Sequence, residues 1–315
     1  MFYCNLDHVL KNSSQKPSKN SSAVQRFHYI TRTKNFENHK ENIAEKLEFM
    51  QSGNMPHFAQ NKPDEFWQAA DIYERKNGRV CSSLVVALAK ELTAAQRSEL
   101  AEQFIAEFAD RYQFPYSCAI HNHEGSLGGQ EQPHLHLIYS ERSVDEIERT
   151  PEQFFKRYNP KNPQKGGAQK LTADVLGFGK SQLTLFRQKT EELINDSLQR
   201  YAPTKTLEIR GLKVEVQNRV SCLSNEDYTK QFGTDLQDVP MMSKKIRFAK
   251  NGTDLYEQKQ EMTEEINRLR AENRYEKYKS EYELALSKQQ KLEQDNQPKP
   301  PPRYEKPRGY DGSGF

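Results

Sequence analysis

The sequence has little with which to staple itself together and nothing long enough to sit in a membrane. Its four cysteines, Cys4, Cys81, Cys118 and Cys222, are scattered without a Cys-x-x-Cys pair. That excludes a zinc ribbon or disulfide framework and suits a reducing compartment. No run approaches the ~20 apolar residues of a spanning helix, so no membrane insertion is expected. The opening MFYCNLDHVL has no charged segment followed by an apolar one, so a cytoplasmic protein without a leader is the expectation. An excess of charge of one sign is also missing: the net charge is +3 over 315 residues. The total therefore cannot argue for nucleic-acid binding, and the placement of the charges has to. Hydrophobic residues make up 34% of the chain and the mean hydropathy is -1.00, below the usual balance of a fully packed protein. Part of the chain is expected to lie outside any core.

What is present reads as alternating strands and helices. Met1 to Leu10 suits a first strand, Ser13 to Ser22 a flexible Ser/Lys/Asn loop, and Val24 to Thr33 a helix, with polar, loop-like chain onward to Gln60. A helix starts near Asp64, after Pro63, and carries Phe66 and Trp67, which read as core. Arg79 to Leu92 reads as a strand. Thr93 and Gln96 then form a capping box ahead of Leu100, Phe104, Ile105 and Phe108 at helical spacing. Two strands, Tyr116 to His121 and His134 to Tyr139, are joined by a connection containing Gly125, Gly128 and Gly129. Thr150-Pro151 opens a short helix, and Gln182 to Tyr201 forms a long one. Leu207 to Val216 could be one strand.

The expected fold class is α+β: a central antiparallel sheet carrying a His-x-His motif, with flanking helices. A domain over 1–205 would be followed by an extension of uncertain structure at 206–252 and a charged helix at 253–296, free of Pro and Gly. In that helix Leu255, Met262, Ile266 and Leu269 show heptad-like spacing that then gives way to tyrosines, so a solvated single helix competes with a coiled coil. The tail, 297–315, holds five prolines and is expected to be disordered.

Four of the eight histidines fall between positions 121 and 136. On a strand His134 and His136 share a face, and His121 ends the preceding strand. If the two strands pair antiparallel, His121, His134 and His136 converge and leave a divalent cation with open positions, as a catalytic site requires. His123, in the loop, is a weaker candidate. The contiguous His121-Asn122-His123 is not an HNH nuclease motif, whose three residues are separated along a ββα unit.

The block IHNHEGSLGGQEQPHLHLIYSER (Ile120 to Arg142) resembles the signature of MobA/MobL mobilisation relaxases, part of the HUH endonuclease group. MPHFAQNKPDEFWQAADIYERKNGRV (Met55 to Val80) and FFKRYNPKNPQKGGAQK (Phe154 to Lys170) resemble the same family in the same order, so the likeness covers about residues 1 to 200. Chain 201–242 departs from the Asp-His-Arg and Gln-Gly pattern usual there. The resemblance implies that His121, His134 and His136 are the metal ligands and that Tyr29, in FHYITRTKNF, is the nucleophile, chosen among 15 tyrosines. It puts Glu74, in DIYER, near the active site as a candidate general base. The implied activity is nicking and religation of plasmid transfer-origin DNA through a 5′-phosphotyrosyl intermediate, with a divalent metal, Mg²⁺ or Mn²⁺, although imidazole ligands also suit Zn²⁺, Ni²⁺ or Cu²⁺.

Pro151 to Lys180 carries six basic residues against two acidic ones. A solvated basic loop is the plain explanation, but the resemblance makes it a DNA contact built from Lys156, Arg157, Tyr158, Lys161, Lys165 and Lys170. Phe155 and Tyr158 would offer stacking faces, and Gly166 and Gly167 close approach to the DNA backbone. The implied partners are single-stranded transfer-origin DNA, accessory mobilisation proteins and a type IV coupling protein. Two alternatives stand beside this reading: a rolling-circle replication initiator with the same chemistry, and a DNA-binding mobilisation accessory protein without nicking activity.

Overall fold

A computed structural model describes residues 2–11, 22–37, 45–123, 131–209, 211–247 and 249–295. The expected Ser13–Ser22 loop (save Ser22), the glycine-rich connection after His123 and the proline-rich tail lie outside the described residues. The chain divides into two units. The first is Met1–Lys205 with Gln217–Leu223, and the second is Thr206–Val216 with Ser224–Phe315. The extension expected from 206 onward is thus interrupted, because 217–223 returns to the first unit.

The first unit is built on a five-stranded antiparallel sheet in the order β1-β3-β5-β4-β2. Its strands are β1 (Cys4–Leu10), β2 (Lys46–Gly53), β3 (Arg79–Ala87), β4 (Tyr116–Asn122) and β5 (His134–Tyr139). The α+β sheet with a His-x-His strand is therefore present. Strand β2 corrects the expectation of loop through Gln60: KLEFMQSG has too few alternating apolar residues to show as a strand. It lies at an edge, where one side of its ladder is unpaired and half-buried residues suffice. Its register with β4 shifts between Leu47 and Phe49. The intervening Glu48 turns its carboxylate to Arg97 Nε and Nη2 (2.8 and 2.7 Å) and to Asn122 Nδ2 (2.8 Å).

Both faces of the sheet are covered. Leu84, Val86, Cys118, Ile120, Leu135 and Leu137 pack beneath α3 (Ala94–Phe108) and α5 (Gln182–Tyr201). The Thr93/Gln96 capping box is formed as the sequence predicts. On the other face, Cys81, Ala119 and Ile138 pack against α1 (Ala23–Thr31), α2 (Pro63–Tyr73) and the short α4 (Pro151–Phe154). Phe66 and Trp67 are fully buried there, with Trp67 Nε1 donating to Ser117 Oγ at 3.0 Å. Because side chains alternate, the residues that share the α1 face with Ala119 and Ile138 are His121, His134 and His136.

In the second unit, Leu207 to Val216 is two strands rather than one. They are β6 (Thr204–Ile209) and β7 (Leu212–Gln217), turned at Gly211, whose φ of 81° a side chain would resist. After α6 (Asn225–Phe232) and α7 (Lys244–Arg247) comes a 42-residue helix, α8 (Asp254–Asp295). Its tyrosines are not a failed coiled-coil seam. Tyr282 is buried against Leu207 and Val214, and the Tyr278 hydroxyl donates to Glu208 O and accepts from Glu208 N.

Candidate active site

Helix α1 is fixed at its start and open at its end. Ser22 caps it by accepting from Gln25 N. Asp71 of α2 accepts from the Ser22 hydroxyl (2.7 Å) and from the Ala23 and Val24 amides (2.8 and 3.1 Å), so the first free N–H groups are satisfied. At the other end the chain leaves the helix at Arg32, in the left-handed region with φ 54°. Tyr29 sits in this last turn, 39% exposed while its neighbours His28 and Ile30 are buried.

The Tyr29 ring stands edge-on to His121 and His136, with centroids 6.1 and 5.9 Å away. The three rings of His121, His134 and His136 lie 4.8 to 5.5 Å apart. The register explains this convergence: His121 is directly opposite His134, and His136 is opposite Ala119 on the same face. One donor atom from each lies within 4.8 Å of the others. Two donors bound to one ion at about 2.1 Å lie no more than about 4.2 Å apart, so small side-chain rotations close the set.

The hydrogen bonds to backbone carbonyls set which ring nitrogens carry lone pairs. His121 Nε2 donates to the Ile30 carbonyl at 2.7 Å, and His134 Nδ1 donates to the Gln132 carbonyl at 3.0 Å. Each bond fixes a tautomer and leaves the other nitrogen with a lone pair, the usual arrangement behind a metal-bound histidine. His136 Nε2 is buried without a hydrogen-bond partner, which is costly for a polar atom unless a ligand completes it. Burial, aided by mutual repulsion and by Arg32, pulls all three imidazoles below their ordinary value, with His121 at about 4. The cluster is therefore neutral at pH 7, the state that binds metal. The residues fit a divalent cation.

Two residues without a signal in the sequence complete the site. Arg32 is 5% exposed. Its guanidinium lies 4.4 Å from the Tyr29 ring centroid, donates to Tyr29 O at 2.8 Å, and reaches His121 Nδ1 at 3.2 Å. It also forms a close ion pair with Glu45. The other Glu45 oxygen is 3.6 Å from His121 Nδ1 and 3.8 Å from His123 Nδ1. Glu45 precedes β2 in a polar stretch, and Arg32 would have passed as one more basic residue after a helix.

Glu74 is elsewhere. Its two oxygens accept from Arg142 Nε and Nη2 at 2.9 and 3.0 Å, with Lys170 Nζ at 3.4 Å. Burial would raise its carboxyl, but the hydrogen bonds and charge of Arg142, and then Lys170, hold it below its ordinary value. A carboxylate held this way is a weak proton acceptor, which corrects its expected role as base. Lys170 is likewise turned inward, donating to Arg79 O at 2.8 Å, so it is not a free DNA contact.

Lys156, Arg157, Lys161 and Lys165 are exposed, and Tyr158 is half-buried. Lys156, Arg157, Tyr158 and Lys165 line an open groove of about 630 Å³. Phe155 is buried in the core at 1% exposure and offers no stacking face. Gly166 and Gly167 are there for the chain itself: a Cβ on Gly167 would stand 2.0 Å from the Lys156 carbonyl oxygen. Tyr3, the other tyrosine near the N-terminus, precedes β1 and bonds through its carbonyl to Ala87 N at 3.0 Å.

Residues 21–222, well over half of the chain, match the model of the MobA/MobL family. The chain belongs to the MobA/MobL family. Two curated relatives agree with that membership. The 43 kDa relaxation protein of Salmonella typhimurium is 38% identical over 205 residues, 64% of this chain and 54% of its own. Mobilization protein A of Escherichia coli is 48% identical over 123 residues, 39% of this chain and 16% of its own. This MobA/MobL chain therefore spans about half of the first relative and a smaller part of the second. A solved structure titled "Molecular Basis of Vancomycin Resistance Transfer in Staphylococcus aureus" aligns with 64% of this chain and 94% of its own, at 20% identity and a TM-score of 0.42. That superposition is too loose to carry an argument. Among the described residues of this MobA/MobL protein, no helix is long and apolar enough to cross a membrane.

Proposed function

We propose that this MobA/MobL protein is a relaxase that nicks one strand of a plasmid transfer origin and later rejoins it, with Tyr29 as the nucleophile. The observation that carries the reading is the contact of the exposed Tyr29 ring with His121 and His136. Tyr29 Oη bonds to phosphorus as the bond from phosphorus to the 3′ oxygen breaks, giving a 5′-phosphotyrosyl protein and a free 3′-hydroxyl. The phenol proton leaves as the new bond forms and ends on the departing oxygen. His121, His134 and His136 would hold the divalent cation, Mg²⁺ or Mn²⁺, which when bound supplies Lewis-acid neutralisation of the non-bridging phosphate oxygens. The covalent link conserves the energy of the broken ester, so a returning 3′-hydroxyl can reverse the step at the same site.

Lys156, Arg157, Lys161 and Lys165 would hold strand phosphates, and Tyr158 would stack on a base. The substrate is single-stranded or locally melted DNA, since a side chain has to reach one strand's phosphorus in line. Accessory mobilisation proteins and a type IV coupling protein are the partners this role calls for. The deciding experiment incubates a labelled single-stranded transfer-origin oligonucleotide with the protein, with Mn²⁺ or with EDTA, beside Tyr29→Phe. A metal-dependent covalent adduct absent from Tyr29→Phe is expected. Binding without an adduct on the cognate origin would favour the accessory-protein alternative, and an adduct confined to replication-origin DNA would favour the initiator.

A further inference from the structure

The Glu45 carboxylate is placed as no simple ion pair requires. One of its oxygens meets Arg32, while the other faces two imidazole nitrogens, His121 Nδ1 at 3.6 Å and His123 Nδ1 at 3.8 Å. His121 donates from its other nitrogen to Ile30 O, so the Nδ1 facing Glu45 carries a lone pair. His123 Nδ1 is itself buried with no hydrogen-bond partner. A carboxylate oxygen and the lone pair of His121 Nδ1 brought together out of water repel each other unless something positive lies between them. Arg32 Nη2 stands there, reaching both Glu45 and His121 Nδ1, while the buried His123 Nδ1 beside the same carboxylate is left without a partner.

Glu45, His123 and His134 form a second set of three donors with one atom each within 4.8 Å of the others. This set shares His134 with the three-histidine set. His134 Nδ1 is committed to the Gln132 carbonyl, so only Nε2 can bind an ion. The two sets therefore cannot each hold an ion at once through His134, and Glu45 also lies 3.6 Å from His121 Nδ1 of the first set.

We propose that Glu45 and His123 belong to the ligand pool of the cation, and that Arg32 is the positive group that occupies their side of the pool until the cation displaces it. The proposal rests on the reading of the histidines as a metal site. It adds an anionic oxygen ligand to a neutral nitrogen set, which shifts the site towards a harder, oxygen-preferring ion such as Mn²⁺. Arg32 holds a positive φ of 54° at the helix end, and from that turn its guanidinium lies over Tyr29 and reaches His121.

The test is Mn²⁺ binding to the full chain, read by calorimetry and by the loss of free-ion electron paramagnetic resonance signal, without DNA. Wild type is expected to bind one Mn²⁺. Glu45→Gln and His123→Ala should each weaken binding by about tenfold or more, and Arg32→Gln should tighten it in the presence of Glu45 and much less in Glu45→Gln. His136→Ala is the control for the three-histidine set. If His136→Ala weakens binding while Glu45→Gln and His123→Ala stay within about twofold of wild type, the proposal is overturned and the three-histidine site stands. If wild type binds no Mn²⁺, both fall. Should Glu45→Gln fail to fold because it leaves Arg32 unpaired, His123→Ala decides alone, since its side chain is partly exposed.

Discussion

Two buried polar clusters in the first unit of the chain are built on opposite terms. Around Arg142, every donor is used. Nε and Nη2 meet Glu74, Nη2 also meets Phe155 O at 2.8 Å, and Nη1 meets the Lys156 and Ala168 carbonyls at 3.0 Å. Around Tyr29 bonds are left unmade, with His136 Nε2 and His123 Nδ1 lacking partners and Glu45 facing two imidazole nitrogens. A saturated cluster has nothing left to offer a ligand and acts as a fastener. An unsaturated one costs stability in the free protein and is ready for a cation. Family likeness put Glu74 with the active cluster; counting hydrogen bonds puts it with the fastener.

The largest effect expected from breaking this contrast is at Tyr29. Tyr29→Phe should abolish the covalent DNA adduct while changing unfolding free energy by no more than about 0.5 kcal/mol, since the ring is partly exposed. Gel analysis of the adduct and urea denaturation together check it. Glu74→Ala should do the reverse. Removing one partner of a buried pair costs about 3–5 kcal/mol, and the basic loop that Arg142 ties down should become open to protease, while folded molecules still bind Mn²⁺. An adduct lost from stably folded Glu74→Ala would return that residue to the chemistry.

A smaller effect is expected from pH. His121 and His136 have folded values below the ordinary histidine value, so at acid pH the unfolded chain binds more protons than the folded one. In EDTA, the melting temperature should be flat with respect to these groups above about pH 7. It should fall as pH drops from there toward about 4, where His121 titrates, and His121→Gln should flatten that slope. The smallest effect should come from the groove: Arg157→Ala or Lys165→Ala should lower the salt dependence of single-strand binding by about one unit of slope each, with the adduct chemistry intact.

How much of this the sequence held varies by region. The sheet carrying the histidines was legible because β4 and β5 are short apolar runs with a His-x-His of strict strand period, and the helices because their caps and apolar spacing are strong. Strand β2 was not, because an edge strand with a bulge at Glu48 needs no clear alternation. In the site, a repeated residue type gave the histidines away, and family likeness singled out Tyr29. Arg32 and Glu45 left no trace, because their roles depend on a left-handed turn and a long-range pairing. Phe155 and Lys170 misled for the complementary reason: residue type suggests DNA contact, and burial decides against it.

The hydrogen bond from His121 to the Ile30 carbonyl has a further consequence. Ile30 follows Tyr29 directly, so the helix end that carries the tyrosine is bolted to an imidazole of the three-histidine cluster. Thermal wander of that helix end then drags both parts in the same direction. Their mutual alignment is held to a tighter tolerance than either position alone, as with two tools mounted on one bracket.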